Sequence, residues 1–163
     1  MINKERTDKV NYYLDIAETV SKRSTCIRRK YGAIIVRNDE IVSTGYNGAP
    51  RGRRNCLDLG VCTRDAMGIP SGERYELCRS VHAEANAIIS AARSETLGGT
   101  LYLAGTDFKT GELLTDTTPC SMCRRLIINA GITNVIARTG RDTYIVTNVR
   151  DWIFNDDTLD QNR

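Results

Sequence analysis

The chain has one histidine, His82, followed two positions later by Glu84. The pair Cys120 and Cys123 stands in the run Thr118-Pro119-Cys120-Ser121-Met122-Cys123, which begins more than thirty residues further on. Any joint use of these side chains requires a fold that carries two distant segments to one point. The chemistry argues for joint use. Residues three apart on a helix share a face, so Cys120 and Cys123 point the same way. Pro119 suits the start of that helix, and the positive end of a helix favours thiolates there. With His82 the two thiolates make three protein ligands and leave the fourth tetrahedral position open. This is the pattern of a catalytic zinc, at which a water has its pKa lowered towards neutrality. Glu84 is then placed to move protons. A lone histidine is more often a satisfied core residue, and a lone Cys-x-x-Cys suits redox or structural zinc equally well. The combination of His-x-Glu with Pro-Cys-x-x-Cys is far more specific than either.

Nothing in the composition opposes this. At 163 residues, with 40 % apolar and 26 % charged residues, the chain is expected to form one soluble globular domain over 1–163. Its net charge of +3 suits a phosphorylated small molecule as well as a nucleic acid. No apolar run approaches the roughly 20 residues that span a bilayer. The start, MINKERTDKV, is charged and lacks the apolar core of a signal peptide. A cytoplasmic, reducing location is expected, with no membrane partner. In it the six cysteines, at 26, 56, 62, 78, 120 and 123, serve better as metal ligands than as disulfides.

Periodicity predicts an amphipathic helix over 7–23, with Val10, Leu14, Ala17 and Val20 at helical spacing. A buried strand over 32–36 turns at Asn38-Asp39 and returns over 41–46. Residues 47–80 are arginine-rich, hold three cysteines and two prolines, and show no sustained period. A loop of that length needs a function or a cross-link. A helix over 82–93, a strand over 100–104, a polar loop over 105–118, a helix over 120–130 capped by Gly131 and a strand over 134–137 complete the pattern. After these, YIVTNV reads as a strand, DWIF as a helical turn and NDDTLDQNR as a frayed tail. The order predicts an α/β protein with a mixed sheet covered by helices.

The signature H-x-E…P-C-x-x-C is that of zinc nucleobase deaminases. The chain resembles the cytidine/deoxycytidylate deaminase family there, and also in YGAIIVRNDEIVSTGYNGAPRG, HAEANAI and PCSMCRRLIINAGITNV, from about Cys26 to Ala137. The resemblance implies a three-layer α-β-α fold with a mixed central sheet. It implies a catalytic Zn2+ on His82, Cys120 and Cys123, and Glu84 as proton shuttle. Asn47, Ala83 and the backbone of Cys120 would contact substrate. Gly45, Tyr46, Asn47, Gly48 and Asn86 would meet a nucleotide triphosphate effector with Mg2+. The implied reaction is hydrolytic deamination of dCMP to dUMP and ammonia, feeding thymidylate synthesis. Activation by dCTP, inhibition by dTTP and a homohexamer come with it.

Two departures from the family pattern stand out. Residues 105–118 intervene where many relatives pass almost directly to Pro-Cys, and Arg141, with Tyr144 nearby, occupies a position where relatives often carry a tyrosine. A tRNA adenosine deaminase shares HAE and PCxMC, but GYNGAPRG, Asn86 and the cysteine-rich insertion speak against it, and so against a nucleic-acid partner. A non-catalytic, zinc-stabilised binding module would leave Glu84 without a role.

Cys26, Cys56, Cys62 and Cys78 remain. Four thiolates are a complete structural zinc site, and a metal there would order the insertion at about 47–80. The family carries a second zinc in this region, with ligands matching Cys26 and Cys56; Cys62 and Cys78 rest on spacing and composition. The alternative is buried free thiols. For a phosphate, Arg51, Arg53, Arg54, Arg93, Arg124 and Arg125 are the candidates, since an arginine fork bonds two oxygens at once. Each taken singly is more often a solvated surface side chain.

Overall fold

The structure, a computed structural model, describes residues 5–156. The final part of the predicted tail, 157–163, lies outside the described residues. Asn38 and Asp39 both take left-handed backbone, with φ of 51° and 63°. Two successive residues of that kind make the tight turn whose twist suits antiparallel strands. It joins β1 (Arg29–Arg37) to β2 (Glu40–Tyr46). The Tyr13 hydroxyl donates to the Asp39 carboxylate at 2.6 Å and ties the turn to α1 (Lys9–Ser21). Asp8 starts that helix by accepting the Asn11 amide proton.

The insertion contains α2 (Cys56–Leu59), α3 (Thr63–Ala66) and a single 3-10 turn over Tyr75–Leu77. After it come α4 (Ala83–Ile89), α5 (Arg93–Thr96), β3 (Thr100–Asp107), α6 (Ser121–Asn129), β4 (Asn134–Arg138), β5 (Tyr144–Asn148) and α7 (Val149–Phe154). The strands form one sheet in the order β2-β1-β3-β4-β5. Only β3 and β4 run parallel, joined through α6; the other neighbours are antiparallel.

Strand side chains alternate between faces, and the sequence uses both. Ala33, Ile35, Leu101, Leu103, Val135 and Ala137 pack with α4 and α6 on one side. Ile34, Val36, Tyr102, Ala104 and Ile136 pack with Tyr13, Leu14 and Ala17 of α1 on the other. The sheet is therefore sandwiched, and the expected three-layer α-β-α arrangement with a mixed sheet is present. Two glycines set the layer spacing. A Cβ on Gly32 would stand 2.0 Å from the Ala17 carbonyl of α1, and one on Gly45 2.3 Å from the Ala87 amide of α4. Helix backbones thus lie directly against the hairpin, and α4 is held where its first residues face the cavity described below.

Three expectations need adjustment. The helix predicted over 82–93 stops at Ile89, because the Glu95 carboxylate accepts the Ala92 amide proton and starts α5 afresh. The strand predicted over 100–104 continues to Asp107, and its Thr106 bridges to Leu113, so the polar loop folds back on the sheet edge. The insertion is not structureless: Asn55 and Asp58 form reciprocal caps at α2.

Candidate active site and metal centre

His82 is the residue before the first turn of α4, and Cys120 holds the same place before α6. The two helices start at the same point, and Cys123 lies in the first turn of α6. His82 Nδ1 stands 3.4 Å from both the Cys120 and Cys123 Sγ atoms. Tetrahedral zinc with Zn–N near 2.0 Å and Zn–S near 2.3 Å puts nitrogen and sulfur about 3.5 Å apart. The donor set thus fits a zinc ion in type and in spacing. Among the described residues it is the only group of three or more such ligand atoms lying within 4.8 Å of one another.

Glu84 is buried, and desolvation pushes its carboxyl up from the ordinary carboxylate range; a backbone hydrogen bond and the His82 charge oppose the shift. Burial works against protonation of His82, but its hydrogen bond with Cys120 and the Glu84 charge outweigh that and raise it overall. The Cys123 and His82 contacts hold the Cys120 thiol below its usual range. Its partner Cys123 is pushed up by the hydrogen bond with Cys120 and by burial.

His82, Glu84 and Cys120 open on a cavity of about 130 Å3, with Cys123 buried behind them. Asn47, Ala83 and Cys120, which the family resemblance offers as substrate contacts, line it together with Glu84. The side chain of Asn47 is largely committed already. Its oxygen accepts from Ser24 Oγ at 2.6 Å and from the Tyr31 amide at 2.8 Å, and its nitrogen donates to the Arg29 carbonyl at 2.9 Å. One amide hydrogen remains, so toward a ligand Asn47 is a donor. Gly45, Tyr46, Gly48 and Asn86 do not line the cavity. Asn86 Nδ2 donates to the Tyr46 carbonyl at 2.8 Å, and Gly48 and Val81 exchange backbone hydrogen bonds.

The remaining cysteines converge more loosely. Cys26, Cys62 and Cys78 line the same cavity. The Cys56 thiol is pushed up first by burial and then by the charges of Cys26, Cys62 and Cys78, so all four lie in one field. Backbone amides point at two of the sulfurs: Arg28 N–H at Cys26 Sγ and Ser80 N–H at Cys78 Sγ, each at 3.4 Å.

The arginines singled out from sequence are elsewhere. Arg51, Arg53, Arg54 and Arg125 do not line the cavity. Arg93 Nε donates to the Asn129 carbonyl, and Arg124 Nε to the Pro119 carbonyl while its guanidinium stacks on Trp152. Arg141 pairs with Glu18, and Tyr144 lies on exposed β5, so neither reaches the cavity. The arginines that do line it are Arg28, Arg29 and Arg64. Arg64 stacks on Tyr75, with the guanidinium carbon 4.6 Å from the ring centre, and Tyr75 meets the His82 ring edge-on at 4.9 Å. Sequence reasoning passed over Arg64 and Tyr75 because neither belongs to a local pattern. Arg28 and Arg29 carried a signal in their position two and three residues after Cys26.

A model of the cytidine and deoxycytidylate deaminase zinc-binding region matches residues 7–139. The chain belongs to this family. It is 38 % identical to the deoxycytidylate deaminase of Mycobacterium phage D29, over 80 % of this chain and 94 % of that one. It is 34 % identical to the deoxycytidylate deaminase of Schizosaccharomyces pombe, over 84 % of this chain but only 39 % of the longer relative. The dCMP deaminase of cyanophage S-TIM5 superposes with a TM-score of 0.56 at 28 % identity, covering 82 % of this chain and 85 % of that one. The same cyanophage enzyme in complex with dCMP and dUMP gives 0.55. No helix among the described residues is long and apolar enough to cross a membrane.

Proposed function

We propose that the chain catalyses hydrolytic deamination of dCMP to dUMP and ammonia, supplying dUMP for thymidylate synthesis. The observation that carries this reading is the buried Glu84 beside the His82–Cys120–Cys123 cluster, on a cavity that arginines also line. The phage D29 relative, matched over nearly its whole length, supports the choice of a deoxycytidylate.

His82, Cys120 and Cys123 hold a zinc ion, whose role is to acidify a water molecule and leave it nucleophilic at neutral pH. Glu84 accepts a proton from the attacking water and passes it to N3 of the base, then takes the second proton from the new C4 hydroxyl and delivers it to the amine, which leaves as ammonia. A buried carboxyl with a raised pKa suits both halves of that task, because it sits nearer the working pH than a solvated one. Ala83 has no side chain beyond Cβ and is fully buried, so the base can approach the α4 backbone closely. Asn47 donates its free amide hydrogen to a sugar hydroxyl. The Cys120 amide, at the start of α6, faces the developing oxyanion.

Cys26, Cys56, Cys62 and Cys78 would hold a second, structural zinc that orders the 47–80 insertion, although among the described residues no three of their sulfurs lie within 4.8 Å of one another, so the metal would have to draw them together. The backbone amides of Arg28 and Ser80 pointing at the Cys26 and Cys78 sulfurs support this, since amide-to-sulfur contacts are those a metal-bound cysteine accepts. The family reading also assigns dCTP with Mg2+ as activator and dTTP as inhibitor, acting at Gly45–Gly48 and Asn86 in a cytoplasmic homohexamer.

Ultraviolet-monitored deamination by the zinc-loaded protein tests the substrate. The comparison is dCMP, deoxycytidine and tRNA, with and without dCTP and magnesium. Turnover of dCMP, rising with dCTP, is expected. Turnover of tRNA adenosine in its place contradicts the reading.

A further inference from the structure

Tyr31, on β1, lines the cavity, and the reaction gives it no task. It sits opposite Gly105 of β3. A Cβ on Gly105 would stand 2.6 Å from the Tyr31 ring and 3.0 Å from Leu114 Cδ1, so the missing side chain of Gly105 is the seat of the ring. Leu114 is buried and belongs to the 105–118 loop, which returns to the same glycine: its amide donates to the Gly105 carbonyl at 2.9 Å. The ring also packs against the core cluster that holds Ala83 and Ala87, and Arg29 Nη1 donates to its hydroxyl at 3.4 Å. A ring backed in this way by strand, loop and core cannot swing aside for a ligand.

Tyr31 and Asn47 form one unit. The Tyr31 amide donates to the Asn47 side-chain oxygen at 2.8 Å, and the Asn47 backbone amide donates to the Tyr31 carbonyl at 3.3 Å. Together with Ser24 and the Arg29 carbonyl, Tyr31 leaves the Asn47 side chain a single free N–H. Asn47 can therefore serve one sugar hydroxyl. A ribose brings two, on adjacent carbons. The neighbouring wall offers the second one only the Tyr31 ring and the Ala83 methyl group. We propose that Tyr31 selects 2′-deoxyribose over ribose: its ring, seated on Gly105, fills the space a 2′-hydroxyl needs beside Asn47 and leaves that hydroxyl without a partner. This rests on the deaminase reading and names the residue of that site which reads the sugar.

A 2′-hydrogen packs on the ring, whereas a 2′-hydroxyl gives up its water and gains no bond in return. A wall that rejects one added hydroxyl by contact alone discriminates by roughly a hundredfold. The 105–118 loop takes part through Leu114, which keeps the ring from retreating.

Calorimetric titration of the zinc-loaded protein with dUMP and with UMP reads the sugar preference whether or not the protein turns over dCMP. dUMP should bind about a hundredfold tighter. Tyr31→Val removes the ring with a residue that suits a strand, and should cut the preference by at least about tenfold, chiefly through tighter binding of UMP. Tyr31→Phe keeps the ring and should keep the preference. Equal binding of the two ligands by wild type, or an unchanged preference in Tyr31→Val, overturns the assignment. Weaker dUMP binding without any gain for UMP in Tyr31→Val also overturns it, since the ring would then hold the ligand instead of excluding the hydroxyl. Loss of the preference in Tyr31→Phe does the same, since the phenol oxygen would then read the sugar. If Tyr31→Val does not retain zinc, Leu114→Ala, which frees the ring from behind, carries the test: its preference should fall, and an unchanged one refutes the ring as the determinant. A protein that prefers dUMP in this way and yet does not deaminate dCMP would refute the proposed reaction while leaving the sugar selection in place.

Discussion

The side chain of Asn47 shows how much of this site is settled by single residues. It joins β2 to Ser24, to the Tyr31 amide and to the Arg29 carbonyl, so it is structural before it meets any ligand. Asn47→Ala strands the buried Tyr31 N–H and should lower stability by about 1–3 kcal/mol, read by urea unfolding. If stability is unchanged, a compensating partner replaces the amide. Gly45 is a second such residue. A methyl group there collides with the Ala83 carbonyl and the Ala87 amide. Gly45→Ala must move α4 off the hairpin, and should cost about 1–3 kcal/mol together with most of the turnover, because His82 and Glu84 move with that helix. A variant with wild-type melting and activity would show that the contact is not tight. Both residues sit in the GYNG stretch, which sequence reading assigned to nucleotide contacts; the framework role emerged only when α4 was seen to lie against Gly45.

At the scale of elements, α1 and β4 are held together by charge as well as by apolar packing. Arg138 is buried beneath Asp15 and Glu18, and Glu18 also binds Arg141 at 3.0 Å. Burial alone would raise the Glu18 carboxyl, but the hydrogen bonds from Arg141 and Arg138 outweigh it and hold it below the ordinary glutamate range in the folded protein. A group depressed on folding stabilises the protein above its unfolded pKa and loses that contribution as pH falls through the folded value. Glu18→Gln should therefore destabilise the protein at pH 7 by about 2 kcal/mol, and the gap from wild type should close as pH drops below about 4.5. Parallel melting curves down to acid pH, with a constant gap, would contradict this. The insertion behaves as a separate element. Cys62→Ser should lower bound zinc from two to about one per chain and sensitise 47–80 to proteolysis, as measured by metal analysis and limited digestion. Unchanged zinc content would remove Cys62 from the ligand set.

Across the whole molecule, what the sequence revealed was whatever repeats with a period or sits in a motif. The short apolar runs of 32–36, 100–104 and 134–137 were legible as strands of a mixed sheet covered by helices, and the two core clusters divide between the faces of that sheet. The cluster of His82, Cys120 and Cys123 with Glu84 beside it was legible because these residue types and spacings have few other uses. Three features were not legible. The break after Ile89 depends on a single capping carboxylate at Glu95. The extension of β3 to Asp107 depends on pairing with β1. The place of Arg64 depends on how the insertion folds over His82, and no local pattern encodes that path. Metal binding should couple these levels. Chelation should lower the melting temperature by about 10 °C, reversed by added zinc, if binding contributes about 4 kcal/mol to the folded state. A melting point indifferent to chelator would mean that the cluster closes without metal.

The central claim is that Glu84 moves protons at a zinc site built from His82, Cys120 and Cys123. The most direct measurement is the rate of dCMP deamination by wild type and by Glu84→Gln, each with its zinc content determined on the same sample. The account predicts clear turnover by wild type, and a loss of at least about a thousandfold in the variant with zinc retained. Equal rates in the two proteins, or no turnover of dCMP by fully zinc-loaded wild type, would contradict it.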